Sequence, residues 1–392
     1  MSRRARLLAS LAALAGLVLF AVSANIVFAS LLRMSDTFRV PATSLANASA
    51  VQFAGFFLAS IAGGLLADRI GKRLVLIAGS CLVAAGAGLW SLAPTLTTVF
   101  AGAAVMGMGG GVLEAMGTAL MTDLFPSRRR LVLNLSQVAY CLGAVGGPAV
   151  MGWLLPLGVS WRLFFAGTAA AGVVIGVLFL AAGHAAGAPP ERGTAGTAGP
   201  WPRLGASVWI PCLAMVCYVT AETGTATFLS LYLADARGAP ERWALMALAL
   251  FWGMMMLGRL LCAWLPEEHP HAPVIAGLLG LGAIASAAHL AGFGWQAEIA
   301  LFALTGLAFA GTWPLIVGLV AARHPRHTGT VVGLTAGIGS LGCIVAAPLL
   351  RPLMAGTRPA HAFALCALLL ALAAGAILWS GATATTEKDT PP

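Results

Sequence analysis

The sequence predicts an all-α membrane protein, with twelve transmembrane helices in two pseudo-symmetric six-helix bundles. Three observations carry that expectation. Of the 392 residues, 59% are hydrophobic and 9% charged, where a soluble domain carries about 25% charged residues. Apolar windows of about 20 residues, the length needed to cross the hydrocarbon, recur twelve times along the chain. The chain also resembles itself: a shift of 199 positions superposes Gly107 on Gly306, Pro126 on Pro325 and Gly143 on Gly342, and sets Asp68 over Glu267.

The first six windows fall near 8–32, 44–67, 74–93, 97–122, 131–155 and 161–183. The second six fall near 207–233, 243–265, 272–292, 296–321, 329–353 and 360–380. The stretch between the sets is rich in Gly, Ala and Pro and reads as a connector. The expected division is therefore an N-terminal bundle over 1–183, a cytoplasmic linker over 184–206, a C-terminal bundle over 207–381 and a cytoplasmic tail over 382–392. Ser2-Arg3-Arg4-Ala5-Arg6 imitates the start of a signal peptide, but the apolar run continues to Leu32, so the stretch is retained as the first transmembrane helix.

A formal charge of +9 suggests nucleic acid only when it forms a patch. Here the basic residues are dispersed at segment ends, so no nucleic-acid partner is expected and the charges set topology instead. With the N-terminus inside, fifteen Lys and Arg fall on the inner side, among them Arg259 at the end of segment 8, and seven on the outer side. The asymmetry puts both termini in the cytoplasm of a cell whose inner membrane holds the chain. Seven cysteines are an odd number, contain no C-x-x-C and lie in or at the ends of apolar stretches, which suits small core residues. The histidines sit mostly at loops or helix ends. No nucleophile constellation or metal-ligand spacing stands out, so the reading contains no enzyme, no catalytic residue, no metal and no cofactor.

The loop after segment 2 reads Gly64-Leu65-Leu66-Ala67-Asp68-Arg69-Ile70-Gly71-Lys72-Arg73. A carboxylate at a turn suits the N-terminus of an adjoining helix, and the basic residues suit acids on neighbouring helix ends, of which Asp123 is one. This string resembles the loop signature of the major facilitator superfamily, G-x-L-a-D-R-x-G-[RK]-[RK], at every defined position. The resemblance implies the major facilitator fold, transport by alternating access, and a conformational latch made of Gly64, Asp68, Arg69, Gly71, Lys72, Arg73 and Asp123. The second copy of the loop, ending in Glu267-Glu268-His269-Pro270, is degraded.

An acid at the centre of a membrane helix costs about 2.5 to 3.5 kcal/mol on insertion scales and marks an ion or substrate path. Two carboxylates lie well inside segments, Glu114 and Glu222. Glu114 follows Gly107-Met108-Gly109-Gly110-Gly111 on a face of small residues that admits close helix approach. Asn134, Gln137 and Tyr140 on segment 5 are its candidate partners, or those of a solute. On segment 7, Tyr218, Glu222 and Thr225 are spaced by four and three residues, so they share one helical face. A tyrosine, an acid and a hydroxyl together suit a polyhydroxylated ligand. Trp313-Pro314 adds a ring that stacks on a sugar and a residue that breaks the helix as a gate.

Tyr218 and Glu222, then Phe251-Trp252 with Gly258-Arg259, and the glycine run before Glu114 are similar to the fucose-permease-like branch of sugar symporters. That likeness implies symport of a small polar, sugar-like solute with a proton or sodium ion. Ion coupling is then assigned to Glu114 and Glu222, and solute contact to Asn25, Gln137, Tyr140, Tyr218, Glu222, Thr225, Trp252 and Trp313. The expected surroundings are the lipid bilayer, and the expected state is a monomer. Segment 1 departs from the branch, because Ala24-Asn25-Ile26-Val27-Phe28-Ala29-Ser30 contains no acid. Gly143 to Gly152 partly resembles an antiporter signature, with Met151 in place of a glycine, and segment 4 has Ala103 and Ala104 where drug exporters carry an arginine. Proton-coupled efflux of drugs or metabolites is the alternative.

Overall fold

Thirteen α-helices make up nearly all of the described residues: α1 (Arg3–Phe38), α2 (Ala42–Ile70), α3 (Lys72–Ser91), α4 (Leu96–Leu124), α5 (Arg129–Leu154), α6 (Trp161–Ala182), α7 (Ala206–Leu231), α8 (Glu241–Ala263), α9 (His271–Ala288), α10 (Trp295–Phe309), α11 (Thr312–Arg323), α12 (Thr328–Met354) and α13 (His361–Thr386). The structure is a computed structural model that describes residues 3–40, 42–183, 205–265 and 271–386. The linker expected over 184–206 lies outside the described residues except for Gly205 and Ala206, as do Glu267, Glu268 and the end of the tail. The described residues hold twelve spans long and apolar enough to cross a membrane. The tenth, Trp295–Arg323, contains both α10 and α11.

Local chemistry accounts for the helix ends. Thr95 caps α4 by accepting a bond from the Thr98 backbone N–H at 3.4 Å, and Ser160 caps α6 by accepting from Arg162 at 3.3 Å; both satisfy donors that a helix start leaves without partners. Between α2 and α3 the chain turns on the single residue Gly71 at φ 88°, a conformation that favours glycine.

The chain forms two units. The first contains Met1–Pro126, Ser136–Pro200 and His324–Gly337. Within it α4 packs against α1, α2 and α3, and α6 packs against α1 and α3. The second contains Ser127–Leu135, Trp201–Arg323 and Ile338–Pro392. Within it α13 packs on α7 and α9, and α10 packs on α8 and α9. Each unit thus takes the opening turns of one helix whose remainder belongs to the other: α12 opens in the first and α5 in the second.

The repeat of 199 residues is present in three dimensions. α4 begins at Leu96 and its counterpart at Trp295; the 3₁₀ turn Pro126–Arg128 corresponds to Pro325–His327, and α5 at Arg129 to α12 at Thr328. Helix crossings repeat as well. A methyl group on Gly107 would overlap the carbonyl of Gln52, and one on Gly306 would overlap the carbonyl of Phe251, again 199 positions on. Glycine at these two positions lets one helix backbone touch another.

The tenth span is broken ahead of Pro314, as expected of a helix-breaking residue there: α10 ends at Phe309 and α11 starts at Thr312. One expectation needs correction. Arg259, counted with the inner loop charges, lies within α8 and is 2% exposed.

Candidate functional site

In the first unit the loop after α2 is tied down residue by residue. Asp68 Oδ1 accepts the Gly329 backbone N–H at 3.1 Å, and Oδ2 accepts the Thr330 N–H at 2.8 Å and its hydroxyl at 2.6 Å. These are the free amides of the first turn of α12, where a negative charge is favoured. Lys72 pairs with Asp123 at 2.8 Å and donates to the Thr328 hydroxyl at 3.0 Å. Arg73 donates to the carbonyls of Phe179 and Leu180 at the end of α6, so it meets a helix C-terminus and not an acid. Arg69 is exposed and makes no ion pair among the described residues. Gly64 has no room for a side chain, because the Gly329 carbonyl occupies that place.

Glu114 is 3% exposed on α4, and its Oε1 accepts the Gln137 amide at 2.8 Å. Its surroundings follow from the glycine run. Gly110 leaves space that the Phe20 ring fills, and Gly111 packs on the Phe56 carbonyl and the Ser60 hydroxyl. Phe20 stacks on Phe56 at 5.1 Å and on Tyr140 at 5.6 Å, and Phe53 joins at 6.3 Å from Phe56. A carboxyl, an amide and a half-exposed tyrosine therefore lie beside an aromatic cluster. Thr118, one turn beyond Glu114, is buried with a hydroxyl that has no hydrogen-bond partner among the described residues. Asn25 donates to the Ala21 carbonyl of its own helix at 2.8 Å, and Asn134 donates to the Arg130 carbonyl at 2.9 Å.

The second unit puts its acid to another use. Pro314 has no N–H, so the carbonyl four residues before it, Ala310, loses its helical donor. Arg259 Nε donates to that carbonyl at 3.2 Å, and the Tyr218 hydroxyl donates to the adjoining Phe309 carbonyl at 3.0 Å. Arg259 Nη2 lies 3.9 Å from Glu222 Oε1. Glu222 thus balances the guanidinium that holds the break between α10 and α11. Tyr218 is fully buried in this arrangement. Thr225, on the same helix, is fully buried, and its hydroxyl has no hydrogen-bond partner among the described residues. Trp252 is half-buried against Phe251. Trp313 follows the break directly, with an indole N–H that is buried and has no partner among the described residues.

A third buried acid escaped the sequence reading, because Glu298 falls at the start of a segment. It is 0% exposed and bonded to His289, also 0% exposed. Tyr232 donates to Glu298 at 3.2 Å, and Arg237 donates to the Tyr232 hydroxyl at 2.8 Å. The group joins the π-helical turn after α7 to the ends of α9 and α10. His289, one of the histidines to which the sequence assigns no chemistry, thus has a structural contact inside the second unit. Arg259 was legible, since it lies inside the window 243–265.

A twelve-span chain built as a twofold repeat, with a carboxylate on the amides of a helix start and buried acids in both units, defines a class of membrane transporter. The Major Facilitator Superfamily profile matches residues 11–347, and the chain belongs to that family. Over 164 residues it is 30% identical to the multidrug resistance protein MdtL of Shigella flexneri serotype 5b, covering 42% of each chain. The match thus spans less than half the length of this curated relative. Among solved structures, the proton:xylose symporter XylE bound to 6-bromo-6-deoxy-D-glucose aligns with a TM-score of 0.77 at 14% identity, over 97% of this chain and 96% of that one. The transporter FucP in its outward conformation aligns with a TM-score of 0.74 at 18% identity, over 96% and 99%. At these identities the likeness is one of fold.

Proposed function

We propose that the chain is a secondary active transporter of the inner (plasma) membrane, with both termini cytoplasmic. It carries a small polar solute such as a sugar together with a cation, a proton before sodium, by alternating access and as a monomer. The observation that carries this reading is Glu114 bonded to the neutral amide of Gln137. Glu114 is a buried carboxyl inside a membrane span, where an acid marks an ion path, and Gln137 accommodates either protonation state because its amide both donates and accepts. Glu222 lies beside Arg259 at 3.9 Å. Gln137, Tyr140, Asn25 and the Thr118 hydroxyl offer polar contacts to a solute in the first unit. Trp252 and Trp313 offer ring faces in the second. By linkage, a solute that orders the face around Glu114 changes its proton affinity, and protonation changes solute affinity by the same factor.

The test uses purified protein in vesicles with an imposed pH gradient and labelled sugars. Glu114→Gln, which mimics the protonated acid, abolishes uphill accumulation and retains counterflow. Accumulation by the mutant in response to the pH gradient would exclude Glu114 as the proton site. A second reading, proton-coupled efflux of drugs or metabolites, is favoured by the name of the MdtL relative. The same vesicles separate the two, because the gradient that drives a solute inward in symport drives it outward in antiport.

The contact between Asp68 and α12 acts in this proposal as a latch that weights one transport state. Asp68→Asn keeps one acceptor and loses the charge at the helix start, a change of about 1 kcal/mol or roughly fivefold in the balance of states. Transport slows while equilibrium binding of the solute persists. Unchanged transport kinetics in Asp68→Asn would remove the latch from the mechanism.

A further inference from the structure

A groove of about 570 Å³ runs along the α1, α5 and α6 side of the first unit, from Ala15 to Ile26 on α1. Its lining is apolar apart from Thr168, whose hydroxyl is already bonded to the Phe164 carbonyl at 2.9 Å. Gly146 and Gly167 face open space where a side chain would stand. Eleven residues of helix cover about 16 Å, close to the half-thickness of a hydrocarbon core of about 30 Å. The groove therefore has the length of one leaflet and offers no donor or acceptor to a polar solute.

At its Val159 end the groove meets a second hollow of about 250 Å³, since Val159 lines both. This hollow is polar, and Arg33, Asp36, Ser160 and Trp161 line it. Arg33 and Asp36 are one turn apart and exposed, and neither makes an ion pair among the described residues. Trp161 donates its indole N–H to the Thr37 hydroxyl at 3.1 Å, an aromatic with a polar tip such as membrane interfaces favour. Arg33 lies seven residues beyond Ile26, or about 10 Å, which is headgroup distance from the end of the apolar groove.

We infer that the joined hollows bind one phosphatidylethanolamine, with an acyl chain in the groove, the phosphate on Arg33 and the primary ammonium on Asp36. An anionic lipid would bring its charge against Asp36. A quaternary ammonium has no N–H to donate to the carboxylate, so the cation and anion set matches ethanolamine rather than choline.

The test uses the purified full chain in detergent with a phosphatidylethanolamine carrying a photoactivatable group on its acyl chain. Labelling concentrates on α1 between Ala15 and Ile26 and on the facing residues of α6. Gly146→Leu and Gly167→Leu fill the groove and lower that labelling about tenfold, the value of an excluded apolar contact, and both raise helix propensity, so folding is retained. Gly375→Leu, at another open position on α13, leaves the labelling unchanged. Asp36→Asn removes the preference for phosphatidylethanolamine over phosphatidylcholine in competition, a loss of about tenfold for a charge-assisted contact. Labelling spread evenly over the helices, or unaffected by the two leucine variants, would mean ordinary bilayer contact and overturn the site. Equal competition by phosphatidylcholine or phosphatidylglycerol in the wild type would overturn the headgroup assignment, and cross-linking of two copies across the groove would replace the lipid by a protein partner.

Discussion

α4 and the broken pair α10–α11 occupy equivalent places in the repeat, and their difference is instructive. α4 contains Gly109, Gly110 and Gly111 and yet runs unbroken from Leu96 to Leu124. Its counterpart has Ala308, Phe309 and Ala310 in those places and breaks after Phe309. Glycines cost helix stability through backbone entropy, but every hydrogen bond survives, and here Phe20, Phe56 and Val83 pack into the space they leave. A proline removes a donor outright. Pro314 stands where α4 has Ala115, and its effect appears four residues earlier at Ala310. The second unit answers with Tyr218 and Arg259, where the first has Leu19 and Ser60, and Arg259 in turn requires Glu222.

The buried acids differ accordingly. Glu114 meets an amide, and its equivalent in the second unit is Trp313. Glu222 meets a guanidinium, and its equivalent in the first is Ser23. Two acids of similar appearance in the sequence therefore have different neighbours: the Gln137 amide donates to Glu114, and the Arg259 guanidinium lies beside Glu222.

The largest effect on this contrast comes from Arg259→Met, which strands Glu222 and leaves the Ala310 carbonyl without its donor. Loss of one partner of a buried pair costs about 3 kcal/mol, read as a lower midpoint of thermal unfolding in detergent. Adding Glu222→Gln to Arg259→Met restores part of the loss. Equal midpoints for wild type and Arg259→Met would dissolve the distinction between the two acids.

Glu222→Gln alone is expected to be milder, since the amide oxygen still accepts from Arg259. A charge-assisted bond weakened in this way costs about 1.5 kcal/mol, and the mutant retains pH-driven accumulation. If Glu222→Gln abolished accumulation while its unfolding midpoint stayed at the wild-type value, Glu222 and not Glu114 would be the coupling acid. The smallest effect is that of Pro314→Ala, which returns an N–H to face Ala310 and makes α10–α11 more like α4. Stability rises by about 1 kcal/mol, and Arg259→Met costs less in this background than in the wild type. Equal costs of Arg259→Met in both backgrounds would show that the proline is not the reason for the arginine.

The twelve spans, their twofold repeat and the family were determined by the sequence alone, because span length, exclusion of charge from hydrocarbon and a ten-residue loop pattern are local properties of the chain. The repeat paired Gly107 with Gly306, and the structure places a helix backbone against each of them. Tertiary structure decided which groups meet. Nothing local to Arg259 says that it reaches the Ala310 carbonyl 51 residues away, or that Glu298 at a segment start is sealed under His289 and Tyr232. It also buried Thr225 with no hydrogen-bond partner for its hydroxyl among the described residues, although helical spacing sets it within one turn of Glu222. Periodicity gives the direction in which a side chain leaves its helix; the neighbour it finds there depends on how the helices pack.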